Sequence, residues 1–135
     1  MSALSNDLES KLAKILFGGV AYTAPTSIYF ALHTGDPTET GTANEVNTSG
    51  TGYARVGLTN GSTNFSENGT GLGSNAVAIV YAAATANWGT ITHFSAWDAL
   101  TGGNLLYYGS LNSSQAIVTN DVPRFNIGGI QMQFN

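Results

Sequence analysis

The chain has 135 residues, a net charge of −4, no cysteine and a charged fraction of only 9%. Four scattered cations cannot neutralise a run of phosphates, and no apolar run is long enough to span a bilayer, so we expect neither nucleic acid nor membrane as a partner. The length fits a single domain, residues 1–135, with a sizeable core. So few charges give weak colloidal repulsion, which favours a protein covered by neighbours over a freely diffusing monomer.

The segment 3–17 is predicted to be the only helix. Its apolar residues recur at spacings of three and four, at Leu4, Leu8, Leu12 and then Ile15 or Leu16. Acidic residues come early, lysines come late and Gly18-Gly19 follows, which suits the helix dipole and helix termination. We favour a helix that closes one end of the domain, because a lone amphipathic helix usually covers its own core. The alternative is a docking element that packs this stripe on a partner or on neighbouring subunits.

Alternating apolar and polar residues predict seven or eight short strands after the helix. In chain order these are Thr26–Thr34, Tyr53–Thr59, Ala76–Ala84, Trp88–Asp98, Leu105–Leu111, one near Gln115–Val118, Arg124–Ile127 and Ile130–Phe134. Two long polar connections, 35–52 and 60–74, interrupt them. The predicted fold is mainly β: an antiparallel β-sandwich or jelly-roll-like domain with one N-terminal helix.

The stretch 90–111 holds the densest group of large apolar side chains in the chain. Its two aromatic runs flank a Thr101-Gly102-Gly103-Asn104 turn, and glycine accepts a positive φ without steric cost. We therefore predict a hairpin at the centre of the sandwich.

His93, Ser95 and Asp98 are the three residue types found in the catalytic triad of many hydrolases. They are nearly adjacent on one predicted strand, and no nucleophile-elbow motif surrounds Ser95. We expect His93 to be a half-buried residue of a strand. We also expect the protein not to be an enzyme.

The 35–52 loop contains three carboxylates, Asp36, Glu39 and Glu45, whose oxygens could gather around calcium. Their spacing does not match an EF-hand, and the ligand count falls short without backbone carbonyls. We expect a solvated acidic loop with no metal and no cofactor. A loop this long is often functional or ordered by contact with another molecule.

Two of the four cations, Arg55 and Arg124, lie at the edge or start of predicted strands. Either could bridge to an acidic loop residue or to a neighbouring subunit, and a solvated charge is the default for each.

A series of motifs covers nearly the whole chain. In order they are Val20–Pro25, Tyr29–Pro37, Asn44–Val46, Gly52–Arg55, Ala86–Phe94, Trp97–Ala99 and Gly102–Leu106. With these motifs after a short helix, the chain resembles a family of small tailed-bacteriophage virion structural proteins, often labelled phage tail fibre protein.

The resemblance implies a virion component on the capsid surface or tail, made in the host cytoplasm, without catalytic residues. We place capsid decoration (a cement protein) first, and a tail or head fibre subunit second. The implied partners are further copies of the chain, in a trimer, and virion proteins such as the major capsid protein. A carbohydrate-binding module is a third alternative, and it would need an exposed platform built from Trp88, Trp97, Tyr107 or Tyr108.

The candidate interaction residues come from the helix, the loop and the two arginines. They are Leu4, Leu8, Leu12, Asp36, Glu45, Arg55 and Arg124.

Overall fold

The computed structural model describes residues 2–134, which fold into one helix and ten strands. The helix is α1 (Asn6–Gly18), and it follows β1 (Ser2–Leu4). The other strands are β2 (Ser27–His33), β3 (Val56–Thr59), β4 (Phe65–Glu67), β5 (Leu72–Asn75), β6 (Ile79–Val80), β7 (Gly89–Trp97), β8 (Leu105–Ile117), β9 (Arg124–Phe125) and β10 (Gln131–Gln133). The protein is mainly β, as predicted.

Three antiparallel sheets form the fold. The largest has the strand order β1-β8-β7-β2-β3, and the others are β10-β5-β4 and the pair β6-β9. The predicted hairpin is confirmed, because β7 and β8 pair with each other beside β2 in the middle of the large sheet. No helix among residues 2–134 is long and apolar enough to cross a membrane.

Strand β2 shows how the large sheet divides the molecule into two faces. Ile28, Phe30 and Leu32 point into the main core, where side chains of the smaller sheets and their connections cover them. Tyr29 and Ala31 point to the opposite face, which we call the outer face, where they pack with Trp97 and Leu105. Both faces of the central strands are therefore occupied.

The buried aromatic rings in the main core also hold backbone groups. The Tyr81 hydroxyl donates to the Phe30 carbonyl at 3.0 Å, and the Trp88 indole donates to the Thr51 carbonyl at 2.8 Å. Tyr53 packs against both rings and hydrogen-bonds the Leu32 amide through its hydroxyl oxygen at 3.0 Å. Tyrosine and tryptophan are suited to such positions because each combines a large apolar ring with one polar atom.

The helix begins three residues later than predicted. Ser5 is its N-cap and accepts a hydrogen bond from the Leu8 amide, while the Ser5 amide donates to the Leu106 carbonyl on β8. Leu4 therefore lies in β1, paired with Tyr107, and not on the helix.

The predicted strand Ala76–Ala84 is wrong over most of its length, since only Ile79–Val80 is β-paired. Tyr81 and Ala84 instead donate their amides to the turn before β9, at the carbonyls of Pro123 and Asp121. Proline has no amide hydrogen to donate in return, so a regular ladder cannot continue past it.

The 60–74 connection, predicted to lack regular structure, contains the hairpin of β4 and β5. Its turn is held by the Glu67 carboxylate, which accepts from the amides of Gly69 and Gly71. Each strand has a single large apolar side chain, Phe65 or Leu72, followed by small or polar residues, so no apolar alternation indicates a strand.

Strand β8 is longer than predicted because it absorbs the separate strand expected near Gln115–Val118. Its pairing passes from Ser110 opposite His93 to Gln115 opposite Ile91, so four residues of β8 bulge opposite Thr92.

Candidate interaction surfaces

An ion pair at one edge of the outer face fixes the 35–52 loop. The Arg55 Nε and Nη2 atoms donate to the two carboxylate oxygens of Glu45 at 2.9 and 3.0 Å. The Tyr53 hydroxyl donates to the same carboxylate at 2.9 Å. Of the two bridges that the sequence left open for Arg55, the structure shows the one to an acidic loop residue within the chain.

The Arg55 guanidinium also reaches the β7–β8 hairpin turn. It lies 4.2 Å from the centroid of the Trp97 ring, and its Nη1 atom donates to the carbonyls of Ala99 and Gly102. The side chain is only 7% exposed, so these contacts, and not solvent, satisfy its donors. The predicted interaction residues Glu45 and Arg55 therefore hold the fold's own loops together.

The protonation of this cluster follows from its contacts. Burial of the Glu45 carboxylate raises its pKa, but the Arg55 hydrogen bonds and charge, together with Tyr53, lower that pKa below its ordinary value overall. Burial and the neighbouring Glu45 charge raise the pKa of Tyr53, so its hydroxyl remains a donor. The pair is ionised at neutral pH.

His33 belongs to a second polar group on the same face. Its Nδ1 lies 2.8 Å from the Ala43 carbonyl oxygen and its Nε2 lies 2.7 Å from the Ser95 hydroxyl, which also accepts from the Trp97 indole at 2.7 Å. A carbonyl can only accept, so Nδ1 carries the hydrogen and the neutral ring accepts from Ser95 at Nε2. Burial lowers the pKa of His33, which agrees with this neutral form.

His93, Ser95 and Asp98, which have the residue types of a triad, do not form one. Ser95 is fully buried and bonded to His33, while the ring of His93 pairs with its neighbour Thr92. Asp98 accepts from the backbone and side-chain amides of Asn104 and so closes the hairpin turn. A hydroxyl with no exposed surface cannot reach a substrate.

The three loop carboxylates also have separate partners. Glu45 is held by Arg55, Glu39 accepts from the Tyr108 hydroxyl at 2.6 Å, and Asp36 accepts from the Thr38 amide in a local turn. The Glu39 hydrogen bond raises the pKa of Tyr108 to about 12. Among residues 2–134 no three histidine or acidic side chains lie close enough together to hold a metal ion.

The aromatic platform needed for a carbohydrate-binding module is not formed by the tryptophans. Trp88 and Trp97 are both buried, and Tyr107 and Tyr108 are half-buried. Stacking on a sugar needs an exposed ring face, which neither tryptophan offers.

Arg124 lies on β9 at the rim of a cleft beside the β8 bulge. Its side chain is exposed, and the two ion pairs found among residues 2–134 do not include it. This position agrees with the solvated charge that was the default expectation.

The helix α1 leaves its apolar side chains largely uncovered. Leu8 and Leu12 are half-buried and no residue of the helix is buried, so α1 does not close the core in the favoured way. Leu16 and Phe17, in the last turn, are 76% and 90% exposed. The sequence pattern located this stripe, but it could not show which part would remain uncovered.

A comparison with protein families identifies this architecture. Residues 3–133 match the family model of the podophage GP4 fiber I protein gp80. The chain belongs to this family. It is therefore a structural protein of a bacteriophage virion, of a phage fibre family, in agreement with the resemblance read from its motifs. A search of curated proteins finds no significant match to this fibre-family protein.

Proposed function

We propose that the protein is a subunit of a virion fibre and acts as a homo-oligomer by non-covalent assembly. The observation that supports assembly is the exposed last turn of α1, where Leu16 and Phe17 face solvent almost completely. Large apolar side chains grouped in this way mark a surface that a partner covers. The family match supports the fibre assignment, whereas the sequence alone had favoured capsid decoration.

We further propose that the protein has no catalytic activity. The only serine–histidine contact that resembles a catalytic pair, between Ser95 and His33 in residues 2–134, is sealed inside the outer face. The neighbouring polar atoms, the Ala43 carbonyl oxygen and the Trp97 indole nitrogen, also take part in these structural hydrogen bonds. This arrangement supports a rigid scaffold.

Capsid decoration remains the competing assignment, because a small β-domain with few charges could also cover capsid subunits. The two assignments predict different defects when the gene is deleted. We expect particles lacking the protein to keep their resistance to heat and to lose adsorption to the host. Particles that adsorb normally but release their DNA at a lower temperature would instead support decoration of the head.

A point variant tests the exposed last turn of α1 without removing the whole protein. Phe17→Glu adds a charge at a side chain with almost no contacts, so we expect a normally folded protein that is missing from purified virions. Ile127→Glu is the matched control, because Ile127 is 71% exposed and lies outside the helix. Normal incorporation of the Phe17→Glu protein would contradict the proposed role of α1.

A further inference from the structure

A partly open apolar groove lies between the large sheet and the β10-β5-β4 sheet. It is an open groove of about 650 Å³, which we call the inter-sheet groove. Its apolar lining residues are Ile28, Phe65, Tyr107, Ile130, Met132 and Phe134. Among the residues 2–134 that line it, Glu67 alone is charged.

The groove contains a hydrogen-bond donor without an acceptor. The Tyr107 ring packs edge-on against Phe94, but its hydroxyl makes no hydrogen bond with any residue of 2–134. Burial raises the pKa of Tyr107, so the hydroxyl stays protonated. An occupant of the groove should therefore offer apolar side chains and an acceptor close to Tyr107.

The end of α1 has this chemistry. Its last turn exposes Leu16 and Phe17, and the carbonyls of the last turn of a helix lack partners within the helix. The capping amide of Gly19 and the amide of Val20 both donate to the Lys14 carbonyl, which leaves the later carbonyls as acceptors. Lys14 is the one charged residue beside these apolar side chains, opposite in sign to Glu67.

The last turn of α1 does not fill the groove of its own chain, since Leu16 and Phe17 are exposed and no helix residue lines the groove. The N-terminal turn of α1 lies on the outer face, where Ser5 and Asp7 line a pocket with Trp97. The inter-sheet groove opens on the other side of the large sheet, where Tyr107 contacts the main core.

We propose that the last turn of α1 from one subunit inserts into the inter-sheet groove of a second copy of the chain. The contact is head-to-tail, and a rotation that closes gives a ring in which every helix end and every groove is covered. This inference rests on the proposed homo-oligomeric function and names its interface. The trimer implied by the family resemblance corresponds to a ring of three copies.

Tyr107→Phe provides a sharp test. The variant removes only a hydroxyl that makes no hydrogen bond with residues 2–134, so thermal stability of the monomer should stay unchanged. Loss of one hydrogen bond per contact should weaken self-association by about tenfold, measured by analytical ultracentrifugation. Tyr108→Phe is the control: it also removes one hydroxyl, but from the outer face, and should leave association unchanged. Unaltered association of Tyr107→Phe together with Phe17→Glu would overturn the proposal.

Disulfide trapping tests the contact directly, because the chain has no cysteine of its own. Phe17→Cys combined with Ser62→Cys places one thiol on the helix end and one at the groove. We expect oxidation to give covalent oligomers larger than a dimer, and Ile127→Cys with Ser62→Cys to give none. A double-cysteine protein that remains monomeric after oxidation contradicts the interface, as does a wild-type chain that is monomeric at its highest soluble concentration.

These outcomes are independent of the location in the virion. A protein that assembles through the groove but decorates the capsid would refute the fibre assignment and leave the interface intact. A Phe17→Glu protein that still oligomerises but fails to enter virions would show that the helix end binds a different virion protein, which would overturn the interface.

Discussion

Arg55 connects three parts of the outer face: the 35–52 loop through Glu45, the ring of Trp97, and the turn of the β7–β8 hairpin. Removing one partner of a buried ion pair leaves the other charge without compensation, which is more costly than replacing both. The effect of a single substitution should therefore exceed that of a matched double substitution.

The first prediction concerns this pair. We expect Arg55→Met to lower the free energy of unfolding by about 3 kcal/mol, because Glu45 would remain charged and poorly solvated. The double variant Arg55→Met with Glu45→Gln should recover part of the loss. Urea denaturation measures both values, and a double variant less stable than Arg55→Met would contradict this account.

The second prediction concerns pH. The pKa of His33 is lowered on folding, so the unfolded chain binds a proton first as the pH falls below about 6.5, and stability is lost from there downwards. The pKa of Glu45 is also lowered overall, so its contribution is lost at still lower pH, below its unfolded value of about 4.5. Both groups thus destabilise the fold in acid.

We expect the midpoint of thermal unfolding to fall steadily from pH 7 to pH 4. His33→Gln should be less stable at pH 7 but show a shallower slope between pH 7 and pH 5. His93→Gln is the matched control, since His93 lies opposite His33 in the sheet. An unchanged slope in the His33 variant would show that another group causes the acid sensitivity.

At the scale of elements, the hairpin turn depends on Gly103. Its φ is +81°, and an added Cβ would lie 2.5 Å from the Asp98 Oδ1 atom and 2.6 Å from the Ala99 Cβ. Gly103→Ala should therefore cost about 1–3 kcal/mol through backbone strain and displacement of the Asp98 cap.

Gly102 provides the comparison for that variant. It also has a positive φ, but no atom lies within 4 Å of an added Cβ. We expect Gly102→Ala to lower the free energy of unfolding by about 1 kcal/mol, through the strain of a positive φ alone, in the same denaturation measurement. Equal losses in the two variants would mean that the contact with Asp98 has no energetic role.

The elements that the sequence predicted well are those with large, alternating side chains. Strand β2, whose apolar side chains alternate with the tyrosine and histidine of the outer face, was located to within one residue at each end. The β4–β5 hairpin was missed because its strands carry serine and glycine, and its turn is specified by the Glu67 carboxylate binding two amides. Side-chain capping of this kind has no periodicity to detect.

The candidate surfaces were predictable only in part for a similar reason. The apolar stripe of α1 is visible in the sequence, and so is the isolation of Arg55 among few cations. The partner of Arg55 depends on the fold, which brings Glu45 back beside the end of β2. The inter-sheet groove combines residues from both ends of the chain, and no local pattern indicates it.

At the scale of the whole molecule, the fold consists of a rigid β-domain and a helix whose last turn is exposed. The outer-face polar contacts hold the loops to the large sheet. Because the chain has few charges, we propose that its assembly uses apolar surfaces. Together with the family match over residues 3–133, these features support a virion subunit that acts through its contacts.

The most direct test is a cryo-electron microscopy map of the intact virion at a resolution that distinguishes side chains. We expect this β-domain to occupy a fibre, with the α1 end of each copy seated in the inter-sheet groove of its neighbour. Density for the chain only on the capsid lattice, or copies in a fibre whose helix ends contact another protein, would contradict it.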